Sequence, residues 1–140
     1  MTFVGRVAEL SALRDWWERR ADRPALVWGR RRVGKTALIE QFADSLPRVV
    51  FHTGDGDRVS AELARLAARV QTAGLTRLRD LTANPYRDWY DALEHLANEA
   101  EREPALLVLD EFPELLHGAP TLPGTLRAFL DRTRERTMLR

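Results

Sequence analysis

Eight consecutive residues carry the densest chemistry in the chain: Gly29-Arg30-Arg31-Arg32-Val33-Gly34-Lys35-Thr36 follows the spacing G-x-x-x-x-G-K-[ST]. A loop that wraps a phosphate must bring several backbone N–H groups close together, and glycine does so without a Cβ in the way. A helix starting at the end of the loop adds its unsatisfied N–H groups and the positive end of its dipole. Lys35 then reaches the β- and γ-phosphates as a point charge, and the Thr36 hydroxyl ligates Mg²⁺. The predicted nucleotide-contacting set is Gly29, Arg30, Arg31, Arg32, Val33, Gly34, Lys35, Thr36 and Ala37. The arginine side chains read as solvated, while their backbone amides belong to the cradle. Lys35 is the only lysine among 22 basic residues. Elsewhere the chain uses arginine for positive charge, and a compact ammonium stands only where the motif demands one.

A second constellation is Ala105-Leu106-Leu107-Val108-Leu109-Asp110-Glu111, an apolar run ending in two carboxylates. Alone the pattern is weak, since any strand can end in solvated acids. Beside an upstream phosphate loop it predicts Asp110 as the metal-side carboxylate and Glu111 as the general base that polarises water. Successive strand residues point to opposite sides, so the two carboxylates can take different tasks. A base argues for hydrolysis over transfer to a bound acceptor.

These residues need strands to end on and helices to begin with. Ala25 to Trp28 and Val49 to His52 are apolar runs that read as buried strands, with Ala105 to Leu109 as a third. Between them, Val7, Leu10, Leu13 and Trp17 mark a helix to about Arg20. Leu38, Ile39, Phe42 and Leu46 mark one from Lys35, and Val59, Leu63, Leu66 and Val70 one ending at Gly74. Pro85 opens a helix with Tyr86, Trp89, Leu93, Leu96 and Ala100 inward, and a last helix spans Gly124 to Arg136. Leu75 to Asn84 reads as a loop with a helical turn, and Phe112-Pro113 as a turn. The expected architecture is α/β, a parallel sheet flanked by helices, with its ligand site at the carboxyl ends of the strands.

Composition narrows the classes. The 140 residues are 44% apolar and 31% charged with a net charge of +1, which describes a globular domain without a basic nucleic-acid surface. There are no cysteines, so disulfides and thiolate metal sites are excluded. The N-terminus lacks the apolar stretch of a signal peptide or membrane span, and a cytoplasmic protein is expected. Trp16, Trp17, Trp89 and Tyr90 read as core or interface residues rather than a base-stacking platform.

Phe3-Val4-Gly5-Arg6-Val7-Ala8-Glu9-Leu10, the Gly29 to Thr36 block and Leu107-Val108-Leu109-Asp110-Glu111-Phe112-Pro113-Glu114-Leu115 occur in that order. Together they resemble the archaeal-type ATPases, also found in bacteria, among the AAA+-like P-loop proteins that include the signal-transduction ATPases with numerous domains. The resemblance implies a P-loop NTPase fold, with Walker A and Walker B motifs at the two blocks, and ATP and Mg²⁺ as cofactors. It also implies that Val4, Gly5 and Arg6 help form the adenine and ribose pocket; the alternative is that Phe3 and Val4 simply pack against the core while Gly5 makes a turn, which for Val4 is compatible with the pocket. No guanine-specifying block occurs. In relatives a polar sensor strand lies between the phosphate-loop strand and the acidic strand, and a helical lid follows. Met138-Leu139-Arg140 would only begin that strand. Residues 1–140 are therefore expected to be the N-terminal portion of the ATPase domain, an incomplete three-layer α/β/α core. On that footing the isolated chain is expected to hydrolyse slowly and to lean on a protein partner or C-terminal domains. Arg132, Arg134 and Arg136 read as an exposed helix face rather than an arginine finger. The expected activity is Mg-dependent ATP hydrolysis driving or gating a larger assembly; the alternative is an ATP/ADP switch with little turnover. A nucleic-acid role through such an assembly has no support in this segment, and no membrane partner is expected.

Overall fold

A computed structural model describes residues 7–19, 24–27, 34–133 and 135–140. They form two compact units, the first drawn from residues 1–47 with Arg140 and the second from residues 48–139. In the first unit, α1 (Val7–Glu18) buries Leu10 and Leu13, and α2 (Lys35–Ala43) buries Leu38, Phe42 and Ala43. The two helices touch through Trp17, edge-on to Phe42 with ring centroids 6.5 Å apart. Val7, at the start of the expected apolar stripe, is exposed.

The second unit holds a parallel pair, β1 (Val49–Thr53) and β2 (Leu106–Asp110), in register from Val49 against Leu106 to Thr53 against Asp110. Ala105 makes a further parallel bridge to Leu139, so the tail starts a third position on the far side of β2. The Met138 amide donates to the Ala100 carbonyl at 2.8 Å and holds the tail there.

Helices cover one face of the pair. α3 (Val59–Thr72) turns Leu63, Leu66 and Val70 inward, and α4 (Trp89–Glu99) does the same with Trp89, Leu93 and Leu96. With Val50, Leu115 and Phe129 these make one continuous apolar core, against which Leu107 and Leu109 pack. Alternation along β2 therefore sends Asp110 to the opposite face.

Helix ends follow local chemistry. α3 stops at Gly74, whose φ of 76° lets the Leu75 amide reach the Val70 carbonyl at 3.2 Å. α4 begins later than Pro85 because the Asp88 carboxylate accepts the Asp91 amide at 2.7 Å and caps the helix there. α5 (Phe112–Leu115) replaces the expected turn, since a proline in the first helical turn presets the needed φ. α6 (Leu122–Thr133) starts two residues early and ends before Arg136. α2 likewise ends at Ala43 rather than Leu46.

One expected strand is not seen. Residues 24–27 carry no strand, and Leu26 is 73% exposed. A strand needs a neighbour for its N–H and C=O groups. Among the described residues the ladders join only β1, β2 and Leu139, and none reaches this run.

Candidate functional site

The phosphate-loop expectation falls partly outside the described residues: Val4, Gly5, Arg6 and Gly29, Arg30, Arg31, Arg32 and Val33 all lie there. Its exit is described. Gly34 sits at φ 82° and ψ 16°, the left-handed region that an L side chain enters at a cost. Its carbonyl accepts the Leu38 amide at 2.9 Å, the first bond of α2. Lys35, Thr36 and Ala37 follow as the first turn, half-buried, and no side chain caps the helix. An ammonium, a hydroxyl and first-turn amides form a donor set that suits phosphate oxygens.

The acidic pair belongs to the second unit. Asp110 ends β2 and is 8% exposed. Its carbonyl accepts the Gly54 amide at 2.8 Å, which ties the end of β1 to the acidic turn. Glu111 adopts φ 53° and ψ 46°, and among the described residues it is the one non-glycine with positive φ. Such a conformation costs about 1–2 kcal/mol and collects at functional sites, because surrounding structure must hold it. The chain then enters α5, and buried Leu115 anchors the turn from below.

Carboxylate and hydroxyl oxygens suit a hard cation. No three His, Cys, Asp or Glu gather as a metal cage among the described residues. Mg²⁺ is usually bound through one or two carboxylates together with substrate phosphates; the second unit offers a carboxylate at Asp110, and the first unit a hydroxyl at Thr36.

Two further polar clusters lie in the second unit. His52 Nε2 meets Glu62 Oε1 at 2.9 Å, both residues almost wholly buried. Glu62 Oε2 accepts the Asp55 amide at 2.9 Å, and Arg65 Nη2 reaches Oε1 at 2.9 Å. Burial is the largest influence on His52 and lowers its pKa, against the pull of Glu62. For Glu62 burial acts upward, yet the Asp55 amide, His52 and Arg65 together bring its pKa below the ordinary value. A depression at this end of β1 is lined by His52, Thr53, Gly54, Asp55, Arg65 and Arg69.

The other cluster runs from Tyr86 Oη to His95 Nδ1 at 2.6 Å, then from His95 Nε2 to Glu99 Oε2 at 2.9 Å. It has the order of a proton relay, but all three residues are buried. Glu99 also accepts the Arg77 amide at 3.2 Å and the Leu78 amide at 2.7 Å. The cluster fastens the segment before α4 to the core. The i, i+4 spacing of His95 and Glu99 on α4 was a signal for that half of the cluster, while Tyr86 joins it only through the fold.

The arginines expected to share an exposed helix face are partly engaged. Arg132 donates to the Tyr90 hydroxyl and lies over its ring, while Arg136 bonds Asn98 and Glu94. Arg134 lies outside the described residues. Among the described residues no helix is long and apolar enough to cross a membrane.

The model of a family described as an ATPase domain predominantly from Archaea matches residues 3–139. No curated protein and no solved structure matches the chain.

Proposed function

The chain belongs to this family of ATPase domains, and from that premise we propose that it binds ATP with Mg²⁺ and hydrolyses it. The observation that supports this reading is the left-handed Gly34 placed directly before Lys35 and Thr36 at the start of α2. A side chain at that bend would oppose the conformation, and the helix behind it opens with a charge and a hydroxyl suited to a triphosphate.

In this reading the backbone from Gly29 to Gly34 cradles the phosphates, and Lys35 draws charge from the β- and γ-oxygens. Val4, Gly5 and Arg6 border the adenosine. Thr36 and Asp110 would hold Mg²⁺, which neutralises developing phosphate charge. Glu111 accepts a proton from water as the water oxygen bonds the γ-phosphorus and the bond to the ADP oxygen breaks. Residues 1–140 act as the N-terminal portion of a P-loop ATPase domain in the cytoplasm, within the AAA+-like group, with turnover serving a protein partner.

Calorimetric titration of Mg-ATP into the chain tests the binding, with release of inorganic phosphate as the second readout. Lys35→Ala is expected to lose binding. Glu111→Gln is expected to keep binding and lose about 100-fold or more in turnover, the usual worth of a general base. Undiminished binding by Lys35→Ala rejects the reading. Equal turnover by Glu111→Gln and wild type leaves a nucleotide-dependent switch in place of an ATPase.

A further inference from the structure

We infer that Gly54, at the end of β1, is a positioning residue for Glu111, acting through the backbone of the acidic turn. The inference rests on the reading of Glu111 as general base. Two observations carry it. The Gly54 amide donates to the Asp110 carbonyl at 2.8 Å, so β1 continues its ladder one residue into the site. A Cβ at Gly54 would stand 2.7 Å from the Glu111 carbonyl oxygen and 3.0 Å from Leu115 Cγ. The first contact is with backbone and has no rotamer to escape into.

The same two segments meet again one loop further on. A Cβ at Gly118 would stand 2.8 Å from both the Asp57 carbonyl oxygen and the Val59 amide nitrogen. The loop after β1 is thereby laid flat along the segment that runs from the acidic turn through α5, with a glycine at each end of the contact. Glu111 lies inside this clamp at φ 53°. Its conformation opposes its own preference, so the contacts on either side must hold it. Gly54 is the residue that lets β1 come close enough to do so. Glu62 steadies the loop from the other side by accepting the Asp55 amide.

The test compares three variants of the full chain. Gly54→Ala is expected to lower kcat on the order of 100-fold, with KM for Mg-ATP changed by less than about twofold, because a small displacement of a catalytic group costs rate before binding. Gly74→Ala is the control: its φ of 76° strains any side chain, but a Cβ there meets nothing within 4 Å and lies against no part of the acidic turn. It is expected to lose stability and keep kcat. Gly54→Ala with Leu115→Ala removes the side-chain crowding and leaves the backbone contact, so kcat is expected to stay low.

A direct structural readout accompanies the kinetics. In NMR spectra a positive φ gives Glu111 a strong cross-peak between its own amide and α protons, expected in wild type and Gly74→Ala and weakened in Gly54→Ala. Normal kcat in Gly54→Ala overturns the inference, as does recovery in the double variant or an equal loss in Gly74→Ala. If wild type binds ATP without hydrolysing it, the ATPase reading fails. The Glu111 cross-peak then decides alone, and its persistence in Gly54→Ala overturns the positioning role. Should Gly54→Ala not fold, Gly118→Ala is read by the same criteria.

Discussion

His52 and Glu62 face each other at 2.9 Å inside the second unit, with an imidazole on β1 and a carboxylate on α3. Both pKa values lie below their ordinary values, so the native pair is a neutral imidazole donating to a carboxylate. His95, on α4, is lowered too, chiefly by burial. An unfolded chain takes up protons at these histidines first as pH falls below 6.5, the ordinary value. Stability is therefore full above that value and is lost as pH falls toward the lowered native values. The Glu62 contribution has the same sign, present at neutral pH and lost as pH falls through its lowered native value. Thermal unfolding is expected to shift to lower temperature between about pH 7 and about pH 5. His52→Gln, which keeps a donor for Glu62, is expected to flatten part of that decline. A variant profile parallel to wild type would remove His52 from the explanation.

Arg79 holds Asp91 in a two-pronged pair, Nη1 to Oδ1 at 2.9 Å and Nη2 to Oδ2 at 2.8 Å. The same guanidinium donates to the Asn84 and Pro85 carbonyls and lies over the Tyr86 ring. These bonds hold the Asp91 carboxyl well below the usual carboxylate range. Arg79→Ala would leave the mostly buried Asp91 carboxylate with only the Arg87 amide at 3.0 Å and the Arg87 guanidinium at 3.5 Å, and a loss of about 2 kcal/mol in denaturant unfolding is expected. Arg79→Lys is expected to recover less than half of it, since an ammonium cannot make the parallel pair.

Glu111 sets stability against chemistry. Glu111→Gly relieves the left-handed conformation and is expected to raise stability by about 0.5–1 kcal/mol, after the entropy that glycine adds to the unfolded chain. Turnover is expected to fall as in Glu111→Gln. A lower melting temperature for Glu111→Gly would mean that the carboxylate itself supports the turn.

Asp88 is the cap that decides where α4 begins. Asp88→Ala is expected to cost about 1 kcal/mol, and Asp88→Asn much less, in paired unfolding measurements. Equal losses in the two variants would shift the cause from the capping bond to the charge.

The elements legible in the sequence were those whose pattern is strong over its whole length. Val59 to Val70 and Trp89 to Leu96 carry unbroken helical stripes, and Leu106 to Leu109 has no polar interruption. Their ends were less legible, because Asp88 caps through a side-chain geometry that the stripe does not encode. Residues 24–27 have the composition of a strand but lack a neighbour among the described residues. In the candidate site, Asp110 and Glu111 stand at the predicted strand end, while the left-handed backbone of Glu111 was not foreseeable in a residue that usually avoids it. Gly54 stands in a Gly54-Asp55-Gly56-Asp57 stretch of turn-forming residues; its approach to Glu111 exists only once β1 and β2 pair. Gly29 to Val33, the heart of the motif, lie outside the described residues.

The register of Val49 against Leu106 has a consequence for how the molecule is made. Everything from α3 through α4 lies between the two partners, so neither strand can find its ladder until that intervening chain has compacted. Closing so long a loop is costly before its contacts form. The locally bonded helices α3 and α4 are therefore expected to form before the two strands meet. The acidic turn, which depends on that meeting, would be among the last features of the second unit to acquire its native shape.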